Sequence, residues 1–123
     1  MGLILHITLR ADWEMAQRKG VYESASLATE GFIHCSKLEQ AEETANRYFK
    51  GQKDVILLCI DEAKVKAVVR YEGPAKMADA RDALLFPHIY GPLNLDSVFM
   101  VANLGLDNSG RFLVPPEVQA LAI

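Results

Sequence analysis

The chain has 123 residues, half of them apolar and 24% charged, with a formal net charge of −3. That length implies one domain, residues 1–123, with a core of its own, and the apolar fraction excludes disorder. The two charge signs are interspersed, so bulk DNA or RNA binding is not expected, and no stretch approaches the roughly 18 apolar residues of a membrane span.

The opening MGLILHITLR is interrupted by His6 too early for a signal peptide, so a cytoplasmic location is expected. Residues 3–9 read as a strand. Leu3, Leu5, Ile7 and Leu9 share the face expected to meet the core; His6 and Thr8 share a half-polar face with Ile4. Residues 12–19 read as a short helix with Trp13 and Ala16 inward and Gly20 as its stop. The small, polar stretch 21–31, VYESASLATEG, reads as a covering loop anchored by Tyr22 and Leu27. Residues 32–35 form a short strand. Ser36-Lys37-Leu38-Glu39 has the spacing of a capping box, so a helix begins at Lys37. Leu38, Ala41, Ala45 and Tyr48 give it an apolar stripe, and Gly51 ends it.

Residues 55–60 are uniformly apolar between Asp54 and Asp61, which predicts a strand buried on both faces. Residues 65–71 predict another, closed by Gly73-Pro74, and residues 75–85 are ambiguous, with a helical turn around 78–84 as one reading. Strands follow at 87–90 and 97–104, separated by Gly91-Pro92. The DNSG turn at 107–110 leads to a last strand at 111–114, and Pro115-Pro116 ends the regular structure. Six or seven strands and two main helices that do not alternate predict an α+β fold with mostly antiparallel sheet. Neither GxGxxG nor GxxxxGK occurs, so the standard dinucleotide and P-loop fingerprints are absent.

Three histidines, His6, His34 and His88, lie in the strand-like contexts LILHIT, GFIHCS and FPHIYG. A lone histidine in such a run is usually a satisfied core residue, but three in similar settings raise the prospect of one shared site. The short HxH or HxxxH pairs that seed zinc sites are missing, and no metal is assigned. Cys35 and Cys59 sit in apolar runs and read as buried free thiols. Cys35 shares parity with Ile33, and His34 points to the opposite face, so only His6 or His88 could act as its base. Glu42-Glu43 and Asp61-Glu62 read as solvated carboxylates, and Arg70 and Glu72 as a structural pair on one strand face. Trp13, Tyr48 and Phe49 read as core, whereas Tyr22 and Tyr90 border polar clusters.

Several stretches carry a resemblance over nearly the whole chain: HITLRADW at 6–13, GVYESASLATEGFIHCS at 20–36, FPHIYGPLNLDSV at 86–98 and GRFLVP at 110–115. The sequence resembles a bacterial family catalogued as domain of unknown function 952. That family in turn looks like a distant member of the ADP-ribosyltransferase-like superfamily. The resemblance implies two small antiparallel sheets with an NAD cleft between them. It also implies that His6 holds a ribose hydroxyl, that His34 packs against or hydrogen-bonds the nicotinamide, and that His88 positions an acceptor. Thr8, Tyr22, Ser26, Ser36 and Tyr90 would be supporting contacts.

His88 takes the place where that superfamily often has a glutamate. A neutral histidine stabilises positive charge at C1′ of the sugar less well, which disfavours ordinary protein ADP-ribosylation. RNA 2′-phosphotransferases of the superfamily also lack the glutamate but recognise phosphate through basic side chains. Only the scattered Arg10, Arg70 and Arg81 are candidates for that here. The expected function is therefore a nucleotide-binding, ADP-ribosyltransferase-like enzyme with a His6–His34–His88 site. NAD would be a substrate, with no covalent cofactor and a small nucleotide as partner. The alternatives are a non-catalytic binding module for a small anionic metabolite and a histidine–metal hydrolase.

Overall fold

A computed structural model describes residues 2–73 and 85–121, and the helical turn considered for 78–84 lies outside them. In chain order the elements are β1 (Leu3–Leu9), α1 (Arg10–Lys19), β2 (Val21–Tyr22), α2 (Ala25–Glu30), β3 (Ile33–His34), α3 (Leu38–Tyr48) and β4 (Val55–Asp61). There follow β5 (Val68–Glu72), β6 (Phe86–Tyr90), β7 (Leu93–Asn94), β8 (Val98–Asn103), β9 (Gly105–Leu106), β10 (Phe112–Leu113) and α4 (Pro116–Gln119). The fold is α+β. Two three-stranded sheets, β1-β4-β8 and β3-β6-β5, are accompanied by the ribbons β2-β7 and β9-β10. Every strand pair is antiparallel.

The apolar run VILLCI becomes the central strand of the first sheet because it has a core on each side. Val55, Leu57 and Cys59 join Leu5 and Ile7 in a core closed by Ala41 and Ala45 of α3, Phe112 and Val118. Ile56, Leu58 and Ile60 join Ile4 in a second core with Trp13, Tyr22, Ile33, Ile89 and Leu93. Each fully buried aliphatic side chain contributes about 1.5–3 kcal/mol, which outweighs any local preference in so short a strand. In β1 the residues Leu5 and Ile7 face the first core as expected. His6 and Thr8, on the half-polar face with Ile4, are both buried on the side of the second core.

The two sheets are stitched together by the segment after β3. Leu5 and Ser36 exchange backbone hydrogen bonds of 2.9 and 2.7 Å, while the Cys35 N–H donates to the Pro87 carbonyl at 3.0 Å. Residues 33–36 therefore pair with β6 at one end and with β1 at the other.

Four sequence expectations change. Residues 21–31 are not a loop: they form β2 and the short helix α2, which stops at Gly31 in the left-handed region with φ of 91°. Ser36 does not cap α3. Its hydroxyl turns to Thr44, and the Lys37 N–H instead donates to the Gln40 side-chain oxygen at 2.9 Å, one residue later than the S-x-x-E pattern suggests. Tyr48 is 68% exposed rather than core. Pro115-Pro116 starts the helix α4 instead of ending the structure, because proline's fixed φ and missing N–H suit a first turn.

Candidate functional site

A cleft of about 1370 Å³ opens between the two sheets, and its lining includes His6 and Thr8 of β1 and His34, His88 and Tyr90 of the second sheet. Tyr22, Ser26 and Ser36 line it too, so all eight residues singled out from the sequence border one space. They are not equivalent.

His6 forms the floor. Its Nδ1 lies 2.6 Å from the His34 carbonyl and its Nε2 lies 2.7 Å from the Tyr22 hydroxyl. A carbonyl only accepts, so Nδ1 carries the proton. Burial pulls the pKa of His6 from 6.5 down to about 4, against the opposing hydrogen bond to the His34 carbonyl. The ring is neutral near pH 7, so Nε2 must accept from Tyr22. The Thr8 hydroxyl, 3.0 Å from that of Tyr22, completes a buried chain. Burial likewise pushes Tyr22 up to about 12. His6 meets the cleft with both ring nitrogens already engaged.

The other two imidazoles form the wall. Pairing of β3 with β6 sets His34 directly opposite His88, and pairing of β6 with β5 sets Arg70 opposite His88. Ile33, Ile89 and Val69 point into the second core on one side of this sheet. Alternation therefore puts Phe32, His34, His88, Tyr90, Arg70 and Glu72 together on the other side. Phe32 stacks on His88 at 4.1 Å between ring centroids, and His34 meets His88 edge-on at 5.4 Å. Phe32 also touches His34 and Tyr90, at 4.8 and 5.2 Å. The Arg70 guanidinium lies 5.3 Å over the Tyr90 ring.

Each wall histidine is held by a carboxylate. His34 Nε2 is 2.9 Å from Glu30 Oε2, and His88 Nδ1 is 2.8 Å from Glu72 Oε1. The Tyr90 hydroxyl donates to the same Glu72 oxygen. Hydrogen bonds from Tyr90 and His88 hold Glu72 below its ordinary carboxylate range, and the same contact raises Tyr90. Glu72 thus lies in the cleft wall, bound to His88 and Tyr90, and also feels the charge of Arg70 on its own strand. Its part depends on a cross-strand register that one sequence does not reveal. Phe32 could have been found, since it shares the parity of His34 in GFIHCS.

The cleft lining is acidic. Asp12, Glu23, Glu30, Glu39, Glu43 and Glu72 face Lys19 and Arg47, which are themselves paired with Glu23 and Glu43. Arg10 lies outside the cleft, bound to Asp54 at 2.9 Å and to Asn103. Cys35 and Cys59 are free and buried, and burial raises both thiols, Cys59 to about 11. Among the described residues no group of three His, Cys, Asp or Glu is placed to hold a metal ion. No helix among them is long and apolar enough to cross a membrane.

Comparison with curated proteins gave no match. Among solved structures, the chain is similar to the protein CC0527 of Caulobacter crescentus. The crystal structures of that protein and of a double mutant of it are each 34% identical to this chain, with a TM-score of 0.81. They cover 95% of this chain and 98% of their own. The solution structure of CC0527 is 36% identical with a TM-score of 0.69, covering 99% of this chain and 98% of its own. A family profile described as "Protein of unknown function (DUF952)" matches residues 7–101. The chain belongs to that DUF952 family.

Proposed function

We propose that the cleft binds an oxidised nicotinamide dinucleotide and that the chain is a transferase of the ADP-ribosyl type. The observation that carries this reading is the wall of the cleft. Phe32, His34, His88 and Tyr90 form one aromatic surface with carboxylates at Glu30 and Glu72. An aromatic, carboxylate-edged surface suits a flat cationic ring such as the pyridinium of NAD. His34 packs on that ring, while the diphosphate lies toward the open mouth. His88 faces the acceptor. His6, with both nitrogens engaged, acts on the ribose through the Tyr22 and Thr8 hydroxyls.

A small anionic metabolite carries no cationic ring to lie on the aromatic, carboxylate-edged wall, so that surface favours the dinucleotide over it. The metal hydrolase gains no support from the histidines, since among the described residues no group of three His, Cys, Asp or Glu is placed to hold a metal ion. Titration calorimetry with NAD, its reduced form and ADP-ribose is the test. The oxidised form should bind best, because it alone carries the pyridinium charge. No heat at millimolar NAD, or equal affinity for the two redox forms, refutes the reading.

A further inference from the structure

His88 is arranged as a base. Glu72 is ionised and only accepts, so His88 Nδ1 carries the proton and Nε2 keeps its lone pair. That nitrogen has no hydrogen-bond partner among the described residues. No buried side-chain nitrogen or oxygen there lacks one, so Nε2 reaches the open cleft although the residue is only 8% exposed. The ring cannot turn freely. Phe32 stacks on its face, His34 abuts its edge, and Glu72 is itself fixed by Tyr90.

We infer that His88 Nε2 accepts the proton of a hydroxyl acceptor, and that Glu72 is the positioning residue that locks His88 in the Nδ1–H form; this rests on the transferase reading above. The acceptor oxygen forms a bond to C1′ of the ribose as the bond from C1′ to the nicotinamide nitrogen breaks. The electron pair of the broken bond returns to the pyridinium ring and gives neutral nicotinamide. The hydroxyl proton passes to Nε2, and the resulting imidazolium is held by Glu72 until it loses the proton to solvent. An imidazole suits this step with a hydroxyl, whose proton is released as the new bond forms. It cannot strip a guanidinium, whose pKa lies above about 12. The charged and titratable groups that face His88 are Glu72 and Arg70 on β5, Tyr90 on its own strand, and His34 with its partner Glu30.

Two measurements on the whole chain test the assignment. Nitrogen-15 NMR of the free protein should show His88 as the Nδ1–H tautomer in wild type and mixed tautomers in Glu72→Gln. Nicotinamide release from NAD should be stimulated by glycerol, a hydroxyl probe, and not by agmatine, a guanidine probe. In Glu72→Gln kcat should fall about 100-fold with KM for NAD little changed. Glu72→Asp should restore part of the rate. The Nε2–H tautomer in wild type, an unchanged rate in a folded Glu72→Gln, or stimulation by agmatine instead of glycerol overturns the inference. A wild-type protein that releases no nicotinamide removes the transferase reading and the acceptor with it. The tautomer then still decides whether Glu72 sets His88.

Discussion

Acidification should destabilise this fold through a single buried ring. His6 titrates at 6.5 in an unfolded chain and at about 4 in the folded one, where burial disfavours its charged form. Between those values the unfolded state binds the extra proton, so stability is complete above pH 6.5, declines as pH falls, and levels off below about 4. At about 1.4 kcal/mol per unit the loss amounts to roughly 3 kcal/mol. That is a large fraction of the ~5–15 kcal/mol that holds a domain together. His6→Asn provides the control. Its amide can still donate to the His34 carbonyl but cannot titrate. Urea unfolding of both proteins from pH 7.5 to 4 should give curves that converge as pH falls, with wild type losing about 3 kcal/mol more than the variant. The depressed carboxylates Glu72, Asp96 and Asp107 are present in both proteins, so their contribution cancels in the difference between the two curves. Parallel curves, or a His6 resonance titrating near 6.5 in the folded protein, would refute the reasoning.

Tyr22→Phe removes the hydroxyl between His6 Nε2 and Thr8 and strands a buried acceptor, so urea unfolding should show a loss of about 1–3 kcal/mol. Leu57→Ala, in the middle of the central strand and fully buried, should cost about 2–5 kcal/mol in the same assay without altering the wall of the cleft. Phe32→Ala unstacks His88 and should weaken NAD binding by calorimetry about two- to tenfold, since an aromatic contact is worth about 0.5–1.5 kcal/mol. Unchanged affinity would take Phe32 out of the ligand surface.

The parts of the fold legible in the sequence are those governed by burial over several residues. The doubly buried strand at 55–60 and the alternation of Leu3, Leu5, Ile7 and Leu9 needed only the pattern of apolar side chains. What escaped were choices between equal local options. Ser36 with Glu39 and Lys37 with Gln40 both offer helix-start chemistry one residue apart, and tertiary placement of Ser36 beside Leu5 selects the second. ASLATE is too short for a helical stripe, although Gly31 marked its end. The gathering of histidines was suggested by their matching contexts. The pairing of His88 with Glu72 was not, because it arises from register between β5 and β6.

The segment at 33–36 has a mechanical consequence. It belongs to both sheets at once, and the His34 carbonyl that anchors His6 sits within it. The base of the cleft is therefore a fixed seam, and the sheets cannot hinge apart there without breaking backbone pairing and exposing the His6–Tyr22 chain to water. Adjustment to a guest must come from the rim. Among the described residues of the rim, the short helix α2 carries Ser26 and Glu30 and has no buried residue of its own, so displacing it costs less than opening the seam.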